Sequence, residues 1–255
     1  MTQTERLFYL IQYLIDENTQ YSALEIPDSE QEQKRLLRSL MNVRPPKPLS
    51  QEFLHIQDAY LTEENHKKQI TSLTDLTPIR NGIYLWRGDI TTLKIDAIVN
   101  AANDALLGCF VPCHGCIDNA IHSAAGVQLR LTCHKIMNEQ GQAEPTGRAK
   151  ITPAFNLPCR YVLHTVGPII HGPLTQDDCE LLASCLELAA IHQLKSIAFC
   201  CISTGEFHFP NEIAAQIAIE TVQDYQKKNP FEMEVIFNVF KETDYEIYKR
   251  LHKLD

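Results

Sequence analysis

The chain contains no run of about 18 consecutive apolar residues, so no membrane-spanning helix is expected. Its opening residues, Met1-Thr2-Gln3-Thr4-Glu5-Arg6, lack a basic stretch leading into an apolar core and a small-residue cleavage site. That predicts no secretory signal and a cytoplasmic protein. A basic surplus is also missing: 23 Lys and Arg face 32 Asp and Glu, for a net charge of −9. Such a balance argues against a nucleic-acid binder, whose affinity comes from cations placed on phosphates. It leaves room for a small phosphate-bearing ligand, because backbone N–H groups bind phosphate without side-chain charge. No internal repeat or low-complexity tract is visible. Neither a Walker A sequence nor a Gly-x-Gly-x-x-Gly fingerprint is present, so neither nucleotide-binding assignment is licensed.

What is present is the composition of a globular protein, 44% hydrophobic and 22% charged over 255 residues. That length fits one large domain, or one domain with an extension. The nine cysteines read as thiols or metal ligands in a reducing compartment rather than a disulfide framework. The pattern changes near residue 80. Before it, Leu7, Phe8, Leu10, Ile11, Leu14 and Ile15, then Leu36, Leu37, Leu40 and Met41, recur at helical spacing. Arg44-Pro45-Pro46-Lys47-Pro48 breaks that pattern, and a further helix is predicted over Ser50–Leu61. No catalytic constellation stands out there. Residues 1–80 read as a helical extension that packs on the rest, with a substrate-selecting lid as the alternative.

Residues 81–255 alternate between short apolar runs and helical patterns. Strands are predicted at Ile83–Trp86, Ala97–Asn100, Tyr161–Val166, Ser196–Cys201 and Glu234–Val239. Helices are predicted at Asp118–Asn138 (in two pieces), Gln176–Gln193, Asn211–Lys228 and Asp244–Leu251. The alternation predicts an α/β fold, a mostly parallel sheet with helices on both faces. Ligands bind such folds at the carboxyl ends of strands, which directs attention to the loops after Asn100 and Ile202.

Four segments carry the chemistry. In Gly88-Asp89-Ile90, an Asp just past a strand can accept from an exocyclic amine, although a turn-forming Gly-Asp is the plainer reading. Ile98-Val99-Asn100-Ala101-Ala102-Asn103 runs a strand into two carboxamides suited to sugar hydroxyls. Between Leu107 and His122, Cys109, Cys113, His114 and Cys116 cluster as soft ligands of the type Zn²⁺ prefers. His114 and Cys116, two apart in an extended loop, point the same way, and Cys109 can close the set. Cys109, His114 and Cys116 then leave one tetrahedral position open. Cys113 is the alternate, or the fourth ligand of a purely structural site. Asp118 reads as a helix N-cap or as a carboxylate that orients or deprotonates water, and His122 reads as a packing histidine. Finally, Ser203-Thr204-Gly205-Glu206-Phe207-His208 follows a strand and offers successive N–H groups to a diphosphate.

Together and in this order, these segments resemble a macrodomain, the ADP-ribose-binding α/β fold. The resemblance spans about residues 81–255 and also rests on Asp118–Gly126 and on Tyr161–Pro168. It implies a three-layer α/β/α sandwich with a mixed, mostly parallel sheet, and a place in the MacroD-type ADP-ribosyl hydrolase branch, with Asp118 as the catalytic Asp. Two features depart from that branch. Its glycine run before the Asp is replaced by the Cys109–Cys116 cluster, which resembles the zinc-dependent macrodomains of Gram-positive bacteria and fungi. Relatives of that kind are often encoded beside a sirtuin-like ADP-ribosyltransferase and a lipoyl-carrier protein. His208 stands where many macrodomains have Gly. By position, the resemblance assigns adenine to Asp89, Ile90 and Phe240, the diphosphate and distal ribose to Ser203, Thr204, Gly205, Glu206 and Phe207, and the distal ribose also to Asn103, which fixes the sugar as a catalytic partner of Asp118. It implies Zn²⁺ as the cofactor, for which Cys109, His114 and Cys116 are the ligands read from the spacing above. The implied activity is removal of mono-ADP-ribose from Asp or Glu esters on a protein. The alternative is a non-catalytic ADP-ribose reader with a structural zinc.

Overall fold

In the computed structural model, residues 1–167, 177–201, 210–229 and 233–253 are described. The strands are β1 (Thr71–Ser72), β2 (Pro78–Arg80), β3 (Ile83–Arg87), β4 (Leu93–Lys94), β5 (Ala97–Ala102), β6 (Ala149–Pro153), β7 (Tyr161–Val166), β8 (Ser196–Phe199) and β9 (Glu234–Val239). The helices are α1 (Gln3–Asp16), α2 (Glu30–Val43), α3 (Gln51–His66), α4 (Ile117–Ala125), α5 (Val127–Gln140), α6 (Asp177–Ile191), α7 (Asn211–Lys228) and α8 (Glu242–Leu251). Seven strands form one sheet in the order β2-β3-β9-β8-β5-β7-β6, and β1 pairs separately with β4.

The sheet is parallel except at its two edges, β2 against β3 and β6 against β7. Both edge strands escape the sequence pattern because they are short, largely unburied and carry Pro78 or Pro153, a residue that edge strands tolerate. The central strands read as continuous apolar runs because both faces are covered. Ala97, Val99, Leu163, Ile197, Val235 and Phe237 pack under α6, α7 and α8. Ile98, Val162, Ala198 and Ile236 pack against Ile121 and Ala125 of α4 and Leu129 of α5. The result is the expected α/β/α sandwich.

The expected strand Ser196–Cys201 is shorter than predicted. Pairing with β9 stops at Phe199↔Phe237, and Cys200 and Cys201 leave the ladder to line a cleft. The predicted helix 118–138 is indeed two helices, broken at Gly126. There φ is +97° and a Cβ would lie 2.7 Å from Gln57 Nε2, so only glycine fits.

Helices α1–α3 share a core of Leu7, Leu10, Ile11, Leu37, Leu40, Phe53 and Tyr60, closed by Val127 of α5. Each begins at a hydroxyl cap, Thr2, Ser29 or Ser50, which satisfies an N–H that the first turn leaves open. Pro45 and Pro46 follow the end of α2. Buried Arg44 there forks onto Glu17, with two contacts of 2.6 Å.

Glu64 of α3 sits between Lys34 Nζ at 2.8 Å and Lys67 Nζ at 2.6 Å. Burial pushes its carboxyl up, but hydrogen bonds from Lys34, Lys67 and Gln3 outweigh that and draw it down to about 2. The folded carboxyl therefore titrates below its ordinary value of 4.5. Its contribution to stability is complete above that value and is lost as pH falls through the folded one. Partial exposure limits it to about 1 kcal/mol. Urea unfolding of the wild type and Glu64→Gln should differ by that amount near neutrality and converge towards about pH 2; a gap that does not shrink on acidification would exclude this account.

Candidate active site

Strands β3, β9, β8 and β5 lie side by side and parallel, so their carboxyl ends open onto one cleft of about 570 Å³. Asp89 follows β3 and Asn103 follows β5. Three strand spacings separate them, about 14 Å, which suits an elongated ligand. Phe240, after β9, is 78% exposed at the rim. Asp89, Ile90, Asn103, Cys116, Asp118 and Phe240 all line this cleft. Residues 203–207 and His208 lie outside the described residues.

Asp118 was expected to cap its helix, and it does not. Cys116 holds the extended cap position (φ −78°, ψ 159°), and its Sγ accepts from Asn119 N–H. Asp118 thus falls in the first turn of α4 with its carboxylate free of capping duty. It is 5% exposed, and its Oδ1 accepts from Asn100 Nδ2 at 2.7 Å. Burial pushes the carboxyl up to about 6, opposed by the Asn100 hydrogen bond and the charge of Arg130. His122 Nε2 lies 3.5 Å from the same Oδ1.

Beneath the carboxylate runs a buried polar chain. Asn100 Nδ2 also meets His164 Nδ1 at 3.2 Å, and His164 Nε2 meets Thr152 Oγ1 at 3.0 Å. Burial lowers His164 to about 4 and pushes His122 well down too, helped by His164 and Arg130. Both rings are therefore neutral. His122 is the packing histidine expected from the sequence. Gly108, at φ +78°, covers it so closely that a Cβ would come within 2.8 Å of the ring.

The donor atoms of Cys109, His114 and Cys116 all lie within 4.8 Å of one another. Cys109 Sγ is 3.6 Å from His114 Nδ1. Tetrahedral zinc, with ligand distances of about 2.0–2.3 Å, would space N and S by about 3.5 Å, so this donor set fits a metal. Burial pushes the Cys116 thiol up to about 12, the Asn119 N–H opposes it, and Cys109 and Asp118 add repulsion. A thiolate in that setting needs a cation. Cys113 does not join the group. It takes a left-handed conformation (φ +51°) that turns its Sγ to Ser39 Oγ at 3.2 Å and to the Arg35 carbonyl at 3.4 Å. The alternate-ligand reading of Cys113 therefore falls.

Asp89 serves the plainer role, and both of its oxygens have partners. Its Oδ1 accepts from Thr91 N–H at 2.9 Å and Thr91 Oγ1 at 2.7 Å, while Oδ2 lies 3.5 Å from Lys68 Nζ. Asn103 shapes the loop that follows it, donating from Nδ2 to the Gly108 carbonyl and accepting at Oδ1 from Ala105 N–H.

Sequence reasoning missed Asn100 as the partner of Asp118, although it stood in the Asn-Ala-Ala-Asn motif. It also missed Arg38 of α2, which lines the cleft and for which no local signal exists.

A family model described as Macro domain matches residues 99–218. A protein-ADP-ribose hydrolase of Treponema medium is 62% identical over 98% of this chain and 99% of that protein. One from Staphylococcus aureus strain MSSA476 is 48% identical over 98% of this chain and 96% of its own length. The Trypanosoma brucei macrodomain in complex with ADP-ribose superposes with a TM-score of 0.68 at 28% identity, covering 88% of this chain and 96% of that one. The Oceanobacillus iheyensis macrodomain with ADP gives 0.61 at 37% identity, covering 67% of this chain and 90% of that one. Among the described residues, no helix is long and apolar enough to cross a membrane.

Proposed function

The chain belongs to the macrodomain family and is a hydrolase, and from that premise we propose that it removes mono-ADP-ribose from Asp or Glu esters on proteins, with Zn²⁺ at Cys109, His114 and Cys116. One observation carries this reading: the buried carboxylate of Asp118 lines the same cleft as Cys116, which belongs to a three-donor soft cluster with Cys109 and His114. Residues 81–255 form the body of the macrodomain in this reading, and residues 1–80 are a helical extension whose last residues also supply β2, the edge strand of its sheet.

Asp89 Oδ2 accepts from the adenine amine, with Ile90 and Phe240 packing about the base. Ser203, Thr204, Gly205, Glu206 and Phe207 bind the diphosphate and distal ribose through N–H groups. Asn103 orients the distal ribose. Asp118, fixed by Asn100 through Oδ1, takes the proton from a water that attacks C1″. The bond from C1″ to the acceptor carboxylate oxygen breaks through an oxocarbenium-like state, which releases the free side chain and ADP-ribose. Cys109, His114 and Cys116 would hold Zn²⁺, which would supply Lewis acidity to the reacting sugar. Action in the cytoplasm on a lipoyl-carrier protein belongs to the same proposal.

The test is release of ADP-ribose from a protein mono-ADP-ribosylated on acidic residues, using metal-replete enzyme. Time-dependent release is expected. Binding of ADP-ribose without release would make the protein a reader instead.

A further inference from the structure

We infer that Arg38, on helix α2, is a positioning residue of the metal centre. It holds the Cys109–Cys116 loop against the helix that carries Asp118. The inference rests on the metal-site reading above and adds to it a residue from the N-terminal helices.

The geometry is a three-way tie. Arg38 Nε and Nη2 both donate to Asn119 Oδ1, at 3.1 and 2.7 Å. Nη2 also donates to the carbonyl of His114, itself one of the three clustered residues, at 3.0 Å. Asn119, fully buried in α4, sends its Nδ2 to the Val111 carbonyl at 2.9 Å. One guanidinium thus links α2, the ligand loop and α4, and its planar fork gives it a fixed orientation. A second contact from α2 follows the same logic: Asn42 Oδ1 accepts from Cys113 N–H at 2.9 Å. The loop backbone at residues 111, 113 and 114 is therefore held by polar side chains rather than by regular secondary structure.

Helix α2 is itself anchored from the other side. Buried Arg130 of α5 donates from Nη1 to the carbonyls of Met41, Asn42 and Arg44 at the end of α2. Its Nε donates to the Leu107 carbonyl just ahead of the loop at 2.6 Å, and its guanidinium stacks 4.2 Å over the Phe110 ring. A cation at a helix C-terminus complements the carbonyls left open there. Removing an outer-shell partner of a metal ligand typically weakens metal binding by about 10–100-fold, because the donors lose their preset spacing.

The experiment uses the full chain stripped of metal and titrated with Co²⁺ against a competing chelator, reading both affinity and the thiolate-to-cobalt and d–d absorption. Arg38→Ala should bind Co²⁺ about 10–100-fold more weakly, with a perturbed spectrum. Arg38→Lys keeps the charge but lacks the fork, so it should show a smaller loss; it serves alone if the alanine variant does not fold. Arg6→Ala breaks an ion pair of α1 with Glu63 far from the loop, and should bind Co²⁺ as the wild type does. Wild-type affinity and spectrum in the Arg38 variants would overturn the inference, as would an equal loss in Arg6→Ala. A wild-type chain that binds no Co²⁺ would overturn the metal-site reading itself.

Discussion

Replacing Asp118 by Ala should lower the rate of ADP-ribose release by about 10²–10⁴-fold, the usual worth of a positioned general base, while ADP-ribose affinity changes little. The asymmetry follows from geometry. Recognition is spread over a cleft some three strand spacings long, whereas Asp118 occupies a single point beside the loop after β5. Asp118→Asn should lose nearly as much, because it keeps the volume and removes the proton acceptor. The fold should survive either change. The carboxylate is desolvated and hydrogen-bonded to Asn100, and the buried Arg130 whose charge it feels keeps its own carbonyl partners at Met41, Asn42, Arg44 and Leu107. Single-turnover assays with isothermal titration would check both halves. Turnover within a few-fold of wild type would remove Asp118 from the chemistry.

The second large effect is metal removal. The purified chain should carry one zinc, and stripping it should abolish most release, with recovery on adding Zn²⁺ or Co²⁺ but not Mg²⁺. Two thiolates and an imidazole suit soft or borderline cations, whereas Mg²⁺ demands oxygen ligands in an octahedron. A structural role for the metal would predict a closed set of four protein ligands, and Cys113, the residue best placed to complete it in sequence, is turned away to Ser39. His114→Ala is the cleaner variant. Cys116 also caps α4, so Cys116→Ala would mix loss of a ligand with loss of a cap. Full activity of a metal-free chain would end the zinc proposal.

Much of the fold was legible because its signals are local. A strand covered on both faces must be largely apolar, and β5, β8 and β9 read that way apart from polar residues such as Asn100 and Asn238. A helix forced to turn at φ +97° must place glycine there, and Gly126 marks the break. The Cys109, His114 and Cys116 grouping was legible because their spacing within one loop limits where the donors can point. The misreadings come from decisions made elsewhere in the chain. Which residue caps α4 depends on where the loop leaves its extended conformation, and Cys116 rather than Asp118 sits there. Asn100 partners Asp118 because β5 directs its side chain beneath α4, a matter of strand facing that two equivalent-looking Asn residues do not reveal. Arg38 is distant in sequence from its partners, and helical periodicity shows which face of α2 is buried but not what that face touches. The edge strands β2 and β6 were lost to their prolines and their exposure.

The tie through Arg38 has a counterpart at Lys68, just beyond α3, whose Nζ lies 3.1 Å from Thr91 Oγ1 and 3.5 Å from Asp89 Oδ2. Side chains from the first 70 residues thus meet the cleft at the β5 side and at the β3 side alike. For protein engineering, this sets the size of the portable unit. Grafting the Cys-x4-His-x-Cys loop onto a macrodomain without these helices would transfer the ligands and leave their buttress behind. A functional transplant would have to carry α2, with Arg38 and Asn42, together with Arg130 as its receiving partner.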